Sequence, residues 1–319
     1  MKFNQHTIET TSTVSGIGLH TGVMSKMIFT PAPINHGIKF QRTDLDGGPT
    51  ISADIDNVVD TSRGTTIEQH GAKVYTVEHT LAALVGLEID NVLIKINGPE
   101  PPIMDGSARL LMDQLLKAGL FEQNAPRKFI EVPVPFSYRD ASNQTLINIS
   151  PSTDYSLNVS IDYNSETLGI QEAELNQISN FYESISNART FCFLHEIEML
   201  FKTGLIKGGD LSNAVVIVDR EIEDREMDQL ANLLGKEKIT VKKSGVLNDT
   251  SFRFENEAAR HKLLDLVGDL ALLGGPLRGH ISANRPGHTS NVQFARELKA
   301  YLKNLEGSVK PDVNAKVGI

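Results

Sequence analysis

Histidine and carboxylate side chains recur in ARHKLLDLVGDL at a spacing that could support metal chemistry. His261, Asp265 and Asp269 are separated by four residues each. On a helix this spacing stacks the three side chains on one face. A histidine and a carboxylate one turn apart can hold a divalent metal through an imidazole nitrogen and a carboxylate oxygen. A polar stripe on a half-exposed helix is the alternative interpretation.

A second candidate is the adjacent pair Glu78 and His79, at the start of VEHTLAALVG. A neutral imidazole is a good third ligand for zinc, and a neighbouring carboxylate outside the ligand set could take a proton from water. The alternative is a glutamate that favours a helix N-terminus, beside a histidine with a structural role.

The third candidate is His288 in RPGHTSN, which follows a Pro-Gly turn ahead of a long helical pattern. Loop side chains at such positions are readily exposed at a cleft. A protonated imidazole there could donate a proton to a leaving amine. A nearby carboxylate would raise its pKa, and Asp269 is a candidate. An ordinary loop histidine is the alternative.

Hydrophobic periodicity predicts the elements that must position these residues. Strands are predicted at Met24–Phe29, Ile38–Phe40, Val74–Thr76, Val92–Ile96, Ser156–Tyr163 and Ala214–Val218. Helices are predicted at Val77–Gly86, Ser107–Ala118, Phe193–Lys202, Glu255–Leu273 and Ser290–Leu305. Each half of the chain runs through strands first and helices later, which predicts α+β layers. No internal sequence repeat is visible.

Length and composition predict two domains. The chain has 319 residues, and a domain typically has roughly 150. The segment Phe121–Phe129 (FEQNAPRKF) is polar, contains a proline and has no periodicity, so we place the boundary there. We predict a first domain over residues 1–124, a second over 125–305 and a mobile tail or linker over 306–319.

The charge and cysteine content exclude several classes of protein. Lys and Arg total 31 against 40 Asp and Glu, a net charge of −9, which disfavours a nucleic-acid-binding surface. The lone Cys192 excludes an internal disulfide and a multi-cysteine zinc site. The chain contains no signal-peptide core and no apolar run long enough to span a membrane. We therefore expect a soluble, cytoplasmic protein with no stable membrane insertion.

Several motifs, taken in order, resemble one family: the zinc-dependent UDP-3-O-acyl-N-acetylglucosamine deacetylases of lipid A biosynthesis. The resembling stretches are SGIGLHTG, VEHTLAALVGLEIDNVLIKINGPEPPIMDGSA, ARTFCF, GLIKGG, RHKLLDLVGDLALLGG and GHTSN. The resemblance implies an α+β fold of two similar domains, each a sheet with a helix layer. The helix layers would pack face to face in a β-α-α-β sandwich, with the site between them.

The resemblance also assigns the metal site. It implies that His79, His261 and Asp265 are zinc ligands, one ion per chain, with a fourth position left open for water. The ligand set of two histidines and one carboxylate also suits Fe²⁺.

The resemblance gives five further residues catalytic roles. Glu78 matches the general base that accepts a proton from the attacking water. Thr190 matches the residue that, with the metal, stabilises the tetrahedral oxyanion. His288 matches the general acid that protonates the departing glucosamine nitrogen, and Asp269 its charge partner. Lys262 matches a cation that contacts the substrate or an intermediate.

An insert at about residues 193–218 of the second domain would form an apolar passage for the acyl chain of the substrate. The candidate lining residues are Leu19, Ile197, Ile206, Ala214 and Val216, and Phe191 is a further candidate for binding the substrate. For the nucleotide, Tyr163 is expected to stack on uracil and Arg285 to lie near the diphosphate.

The implied reaction is hydrolysis of the acetamide of UDP-3-O-acyl-N-acetylglucosamine to UDP-3-O-acyl-glucosamine and acetate, the committed step of lipid A synthesis. Some members of the family are fused to a β-hydroxyacyl carrier-protein dehydratase, and such a fusion is a candidate partner of this chain. Two alternatives stay open. One is a metal amidohydrolase for another N-acetyl sugar, and the other is a non-catalytic lipid- or nucleotide-binding protein.

Overall fold

The structure is a computed structural model that describes residues 3–220, 222–223, 227–228, 231, 239–241, 245–247 and 251–308. In chain order, strands β1 to β9 are Asn4–Ile8, Ser12–Ile17, Met24–Pro31, Ile38–Arg42, Thr50–Ser52, Val58–Asp60, Thr66–Gln69, Ala72–Val74 and Val92–Ile96. Strands β10 to β18 are Leu120–Pro126, Ile130–Glu131, Phe136–Asp140, Thr145–Ser150, Tyr155–Asp162, Ile170–Leu175, Phe191–Phe193, Val215–Ile217 and Leu277–Asn284. Helices α1 to α6 are Glu78–Gly86, Arg109–Lys117, Phe181–Ser184, Leu194–Lys202, Glu257–Leu270 and His288–Ser308.

Two sheets share one strand order. The sheet of the first half runs β2-β3-β9-β4-β5, and that of the second half runs β12-β13-β18-β14-β15, with β11 also paired to β18. In each sheet the last of these strands along the chain lies in the centre. It pairs antiparallel with one neighbour and parallel with the other. The two halves therefore have the same topology, although the sequence shows no repeat.

Four helices, α1, α2, α5 and α6, form the layers between the two sheets. In the first half α1 precedes the central strand and α2 follows it, and in the second half α5 and α6 take the same positions. Helix α1 packs against α5, and α5 also packs against α6. Both α1 and α5 are buried on nearly every side, as expected for helices that lie between a sheet and another helix layer. The fold is the predicted α+β sandwich with facing helix layers.

A glycine permits the close contact between the two layers. An ideal Cβ at Gly268 of α5 would lie 2.1 Å from the carbonyl oxygen of Glu78 in α1. Any side chain at this position would push the helices apart. The sequence thus places the start of α1 against the last turn of α5.

Strand alternation explains how the second sheet covers its helices. In β14 the side chains of Tyr155, Leu157, Val159 and Ile161 are buried in alternation with more exposed neighbours. The period-2 pattern therefore predicted this strand correctly, except that it begins at Tyr155 and ends before Tyr163.

Several predicted boundaries differ from the structure. Helix α6 begins at His288 and ends at Ser308, whereas the pattern predicted Ser290–Leu305. The third predicted strand ends at Val74, because Thr76 has a positive φ of 52° that breaks an extended chain.

The predicted domain limits stay a prediction. Residue 124 lies inside β10, which pairs with β1 of the first half. Of the predicted tail, residues 309–319 lie outside the described residues. Among the helices that the structure describes, none combines the length and apolarity needed to cross a membrane.

Candidate active site

The facing helices α1 and α5 bring the three candidate metal ligands together. Asp265 Oδ1 lies 3.3 Å from His261 Nε2 and 3.8 Å from His79 Nε2. The two imidazole rings meet edge to face with centroids 5.0 Å apart. All three side chains are buried, so the alternative of a polar stripe on a half-exposed helix is wrong.

The hydrogen bonds of these residues fit a bound divalent cation. Asp265 Oδ1 and His79 Nδ1 are buried and lack a hydrogen-bond partner among the described residues, which is uncommon for buried polar atoms. His261 Nδ1 lies 3.1 Å from the Ala188 carbonyl oxygen. Donation to that carbonyl orients Nε2 toward Asp265, as in many histidine metal ligands. Lys262 Nζ donates to the other Asp265 oxygen at 2.7 Å.

Electrostatics keep the candidate ligands in metal-binding protonation states. Burial, reinforced by the neighbouring His261, lowers the pKa of His79 to about 3. Burial likewise lowers the pKa of His261. Burial alone would raise the pKa of Asp265, but His261 and Lys262 outweigh it and hold that pKa well below its usual range. Neutral imidazoles and an ionised carboxylate are the forms that bind a metal.

A second cluster lies beside the first and contains Glu78, Asp269 and His288. His288 Nδ1 lies 3.0 Å from Asp269 Oδ2. On its other side, His288 Nε2 is 4.0 Å from Glu78 Oε1 and 3.8 Å from Asp265 Oδ2. The imidazole therefore lies between Asp269 on one side and Glu78 and Asp265 on the other.

The pKa values of Glu78 and His288 are both raised above their usual values. Burial raises the pKa of Glu78 to about 7, with Asp269 and Asp265 adding to the effect and His288 opposing it. Burial would lower the pKa of His288, but Asp269, Asp265 and Glu78 outweigh it and raise that pKa to about 9. His288 begins α6, where the helix dipole disfavours a cation, so the nearby carboxylates are needed to keep it protonated.

The loop before β7 holds the Glu78 carboxylate. The backbone N–H of Thr65 donates to Glu78 Oε2 at 2.9 Å. An ideal Cβ at Gly64 would lie 3.2 Å from Glu78 Oε1, so a glycine leaves room for the carboxylate. The Thr65 hydroxyl donates to Asp269 Oδ1 at 2.6 Å, and Asn291 Nδ2 donates to Asp269 Oδ2 at 2.9 Å. Neither Thr65 nor Asn291 was predicted from the sequence.

A sequence signal existed for only one of these two residues. Asn291 follows His288 by three residues at the start of α6, so helical spacing could have placed it on the same face. Thr65 lies next to Thr66 in TSRGTTI, and no pattern in the sequence distinguishes one threonine from the other.

A cavity of about 310 Å³ opens onto both clusters. Of the other predicted site residues, Leu19, Thr190, Phe191, Lys262 and Arg285 line it. Asp269 is fully buried behind His288. A larger cavity of about 650 Å³ lies elsewhere, beside Val85, Leu270 and Tyr155, so size alone does not mark the site.

Thr190 is held from both halves of the chain. Its N–H donates to the Gly106 carbonyl at 2.7 Å, and its carbonyl accepts from the Val215 N–H at 2.9 Å. Gly106 has a φ of 82°, and a Cβ there would lie 2.0 Å from the Asn213 carbonyl oxygen. The position of Thr190 therefore depends on a glycine of the first half.

A narrower cavity of about 80 Å³ adjoins the first one. Strands β16 and β17 are parallel and α4 connects them, which forms the predicted insert. The five residues predicted to contact the acyl chain all line this cavity, as does Phe191: Leu19, Ile197, Ile206, Ala214 and Val216. The two cavities share Leu19, Arg63, Thr190 and Phe191.

The two residues predicted to contact the nucleotide lie near the cavities. Arg285 lines the 310 Å³ cavity, and its Nη2 is paired with Asp162 Oδ2 at 2.7 Å. The Tyr163 ring packs against Phe191 and Phe193, with centroids 5.7 and 5.4 Å away, and it is 40% exposed. Part of the tyrosine side chain is thus exposed at the protein surface.

The fold and the site together define the class: an α+β protein with a three-ligand candidate metal centre between two topologically equivalent halves. The family model described as "LpxC: UDP-3-O-acyl N-acetylglycosamine deacetylase" matches residues 5–232 and 227–300. The chain belongs to this family.

Named relatives agree with this assignment. The chain is 45% identical over 299 residues to the "Bifunctional enzyme LpxC/FabZ" of Bacteroides thetaiotaomicron, covering 94% of the chain and 65% of that relative. It is 44% identical over 304 residues to the enzyme of that name from Chlorobaculum tepidum, with the same coverage. It is 38% identical over 297 residues to the "UDP-3-O-acyl-N-acetylglucosamine deacetylase" of Acidithiobacillus ferrooxidans, covering 92% of the chain and 89% of that relative. The chain thus spans 65% of the length of the two bifunctional relatives.

Proposed function

We propose that this chain hydrolyses the acetamide of UDP-3-O-acyl-N-acetylglucosamine to UDP-3-O-acyl-glucosamine and acetate, a step of lipid A synthesis. The observation that carries the proposal is the convergence of the His79, His261 and Asp265 cluster with Glu78 and His288 in one cavity. The family and the names of its deacetylases support the substrate.

His79, His261 and Asp265 would hold a zinc ion, with Fe²⁺ as the alternative for the same donors. A cation held by these residues would supply Lewis acidity for the hydrolysis. Asp265 Oδ1 has no hydrogen-bond partner in the described part of the chain, and this and the orientation of His261 support the assignment.

Glu78 would act as the general base. A pKa of about 7 leaves a substantial fraction of the carboxylate ionised near neutral pH, which suits a group that must accept a proton and later release it. The Thr65 N–H fixes Glu78 Oε2, so Oε1, the oxygen nearer His288, would take the proton from the attacking water.

His288 would act as the general acid. With a pKa of about 9 the imidazole is protonated at neutral pH and can donate from Nε2 to the departing glucosamine nitrogen. Asp269 accepts from Nδ1 and holds the ring. A base and an acid with separated pKa values in one site fit an amide hydrolysis that needs both.

Two other residues would stabilise charge on the substrate. The Thr190 hydroxyl would donate to the acetamide oxygen as negative charge develops there. Lys262, already beside Asp265 at the cavity wall, would offer its ammonium group to a substrate oxygen.

The acyl chain would lie in the 80 Å³ cavity, whose walls include Leu19, Ile197 and Val216. The nucleotide would extend from the 310 Å³ cavity toward Arg285 and Tyr163.

We also propose a cytoplasmic location. The names of the bifunctional relatives support a full-length protein that continues into a dehydratase, and the reading frame of the gene would test this.

The test is deacetylation of UDP-3-O-acyl-N-acetylglucosamine by the purified protein, before and after chelation and with zinc or Fe²⁺ added back. We expect chelation to abolish turnover and about one metal equivalent to restore it. Turnover of a different N-acetyl sugar alone would favour the broader amidohydrolase alternative. Ligand binding with neither turnover nor metal would favour the non-catalytic binding protein.

A further inference from the structure

Thr65 is hydrogen-bonded both to the proposed general base, Glu78, and to Asp269, the partner of the proposed general acid. It is fully buried and lies just before β7, in the first half of the chain with Glu78. Asp269 and His288 belong to the second half. The N–H of Thr65 donates to Glu78 Oε2 at 2.9 Å and its hydroxyl donates to Asp269 Oδ1 at 2.6 Å.

The backbone carbonyl of Thr65 is also hydrogen-bonded. Its carbonyl oxygen accepts from the N–H of Val77 at 3.1 Å, immediately before Glu78. Two backbone bonds thus fix Thr65 against the start of α1. The hydroxyl is the group that reaches across to the second half.

Asp269 depends on that hydroxyl for its orientation. Asp269 Oδ2 accepts from Asn291 Nδ2 and from His288 Nδ1. The Thr65 hydroxyl engages the opposite oxygen, Oδ1, and lies 3.4 Å from His288 Nδ1. A carboxylate engaged at both oxygens cannot rotate, so the direction of the His288 ring is fixed through Asp269.

We infer that Thr65 is a positioning residue that sets the general base Glu78 against the His288–Asp269 pair across the junction of the two halves. This inference rests on the proposed function. Thr65 touches no reacting atom in this role. It holds the groups that transfer protons at a fixed separation, on which proton transfer depends steeply.

The experiment compares three variants of the intact, metal-loaded chain with UDP-3-O-acyl-N-acetylglucosamine as substrate. Thr65→Val removes the hydroxyl but keeps both backbone bonds and the side-chain shape, and we expect kcat to fall about 10- to 100-fold with KM nearly unchanged. Thr65→Ser restores the hydroxyl and should recover most of kcat. Thr66→Val, at the adjacent buried threonine, is the matched control and should keep the wild-type kcat.

A double-mutant cycle separates positioning from a general loss of stability. If Thr65 acts through Asp269, Thr65→Val combined with Asp269→Asn should lower kcat no further than Asp269→Asn alone. Additive effects, a wild-type kcat in Thr65→Val, or no recovery in Thr65→Ser would each overturn the inference. A wild-type protein without turnover would instead overturn the proposed function, and Thr65 would lose this role with it.

Discussion

Gly268 of α5 lies directly against the backbone of Glu78, at a distance that leaves no room for a side chain. A Cβ atom on Gly268 would be 2.1 Å from the Glu78 carbonyl oxygen. The same contact sets how far Glu78 and His79 lie from His261 and Asp265. Packing and the candidate active site therefore depend on one glycine.

Gly268→Ala should destabilise the protein despite the higher helix propensity of alanine. In an exposed helix this change would stabilise by about 1 kcal/mol, but here the methyl group must separate two packed helices. We expect a net loss of about 1–3 kcal/mol, measured by chemical denaturation, together with weaker metal binding. Gly275→Ala is the control, because its Cβ would meet neighbours only at 3.4 Å or more. Equal stability in the two variants would contradict the packing argument.

Asp269→Asn should shift the alkaline limb of the pH dependence of kcat/KM. The Asp269 carboxylate helps raise the pKa of His288, so its neutralisation lowers that pKa. His288 then loses its proton at a lower pH, and activity should begin to fall at a lower pH than in the wild type. Asp113→Asn, which removes a charge that pairs with Arg109, should leave the profile unchanged. An unmoved alkaline limb in Asp269→Asn would remove His288 from the role of general acid.

Glu78→Ala should separate catalysis from metal binding. Glu78 lies outside the three-ligand cluster, so the variant should retain about one metal ion, measured by elemental analysis. Loss of a general base should lower kcat by about 10²- to 10⁴-fold. Loss of the metal in this variant would show that Glu78 is a ligand or a structural residue.

Ala214→Gln should affect long acyl chains selectively. Ala214 lines the 80 Å³ cavity, where a larger polar side chain would occupy the space for methylene groups. We expect kcat/KM to fall about 10-fold or more for a long-chain substrate, with little change for a short-chain analogue. Ile170→Gln on β15, where the side chain is 71% exposed, serves as the control. An equal loss for both chain lengths would place the acyl chain elsewhere.

The sequence was most informative where one helix carried several polar residues. The spacing of His261, Asp265 and Asp269 predicted a shared helix face, and α5 confirms it. Period-2 alternation likewise identified β14. Both signals are local, so they can be read without knowledge of the partner element.

Features that depend on distant contacts were not predictable. Strand β18, the centre of the second sheet, was missed because LRGHISAN contains a glycine and polar residues. A Cβ at Gly279 would lie 2.7 Å from Ile149 Cδ1 on the neighbouring strand, so the glycine relieves a contact that the local pattern does not encode. Thr65 was missed for the same reason, since its partner Asp269 is 204 residues away.

The two halves share one topology, and α1 and α5 are its equivalent helices, each placed just before a central strand. His79 comes from one of these helices and His261 and Asp265 from the other. Neither half contains all three candidate ligands, so we expect metal binding to require both halves together. A chain cleaved between β10 and β11 would bind the ion only while its fragments complement each other, and metal titration would then report their reassembly.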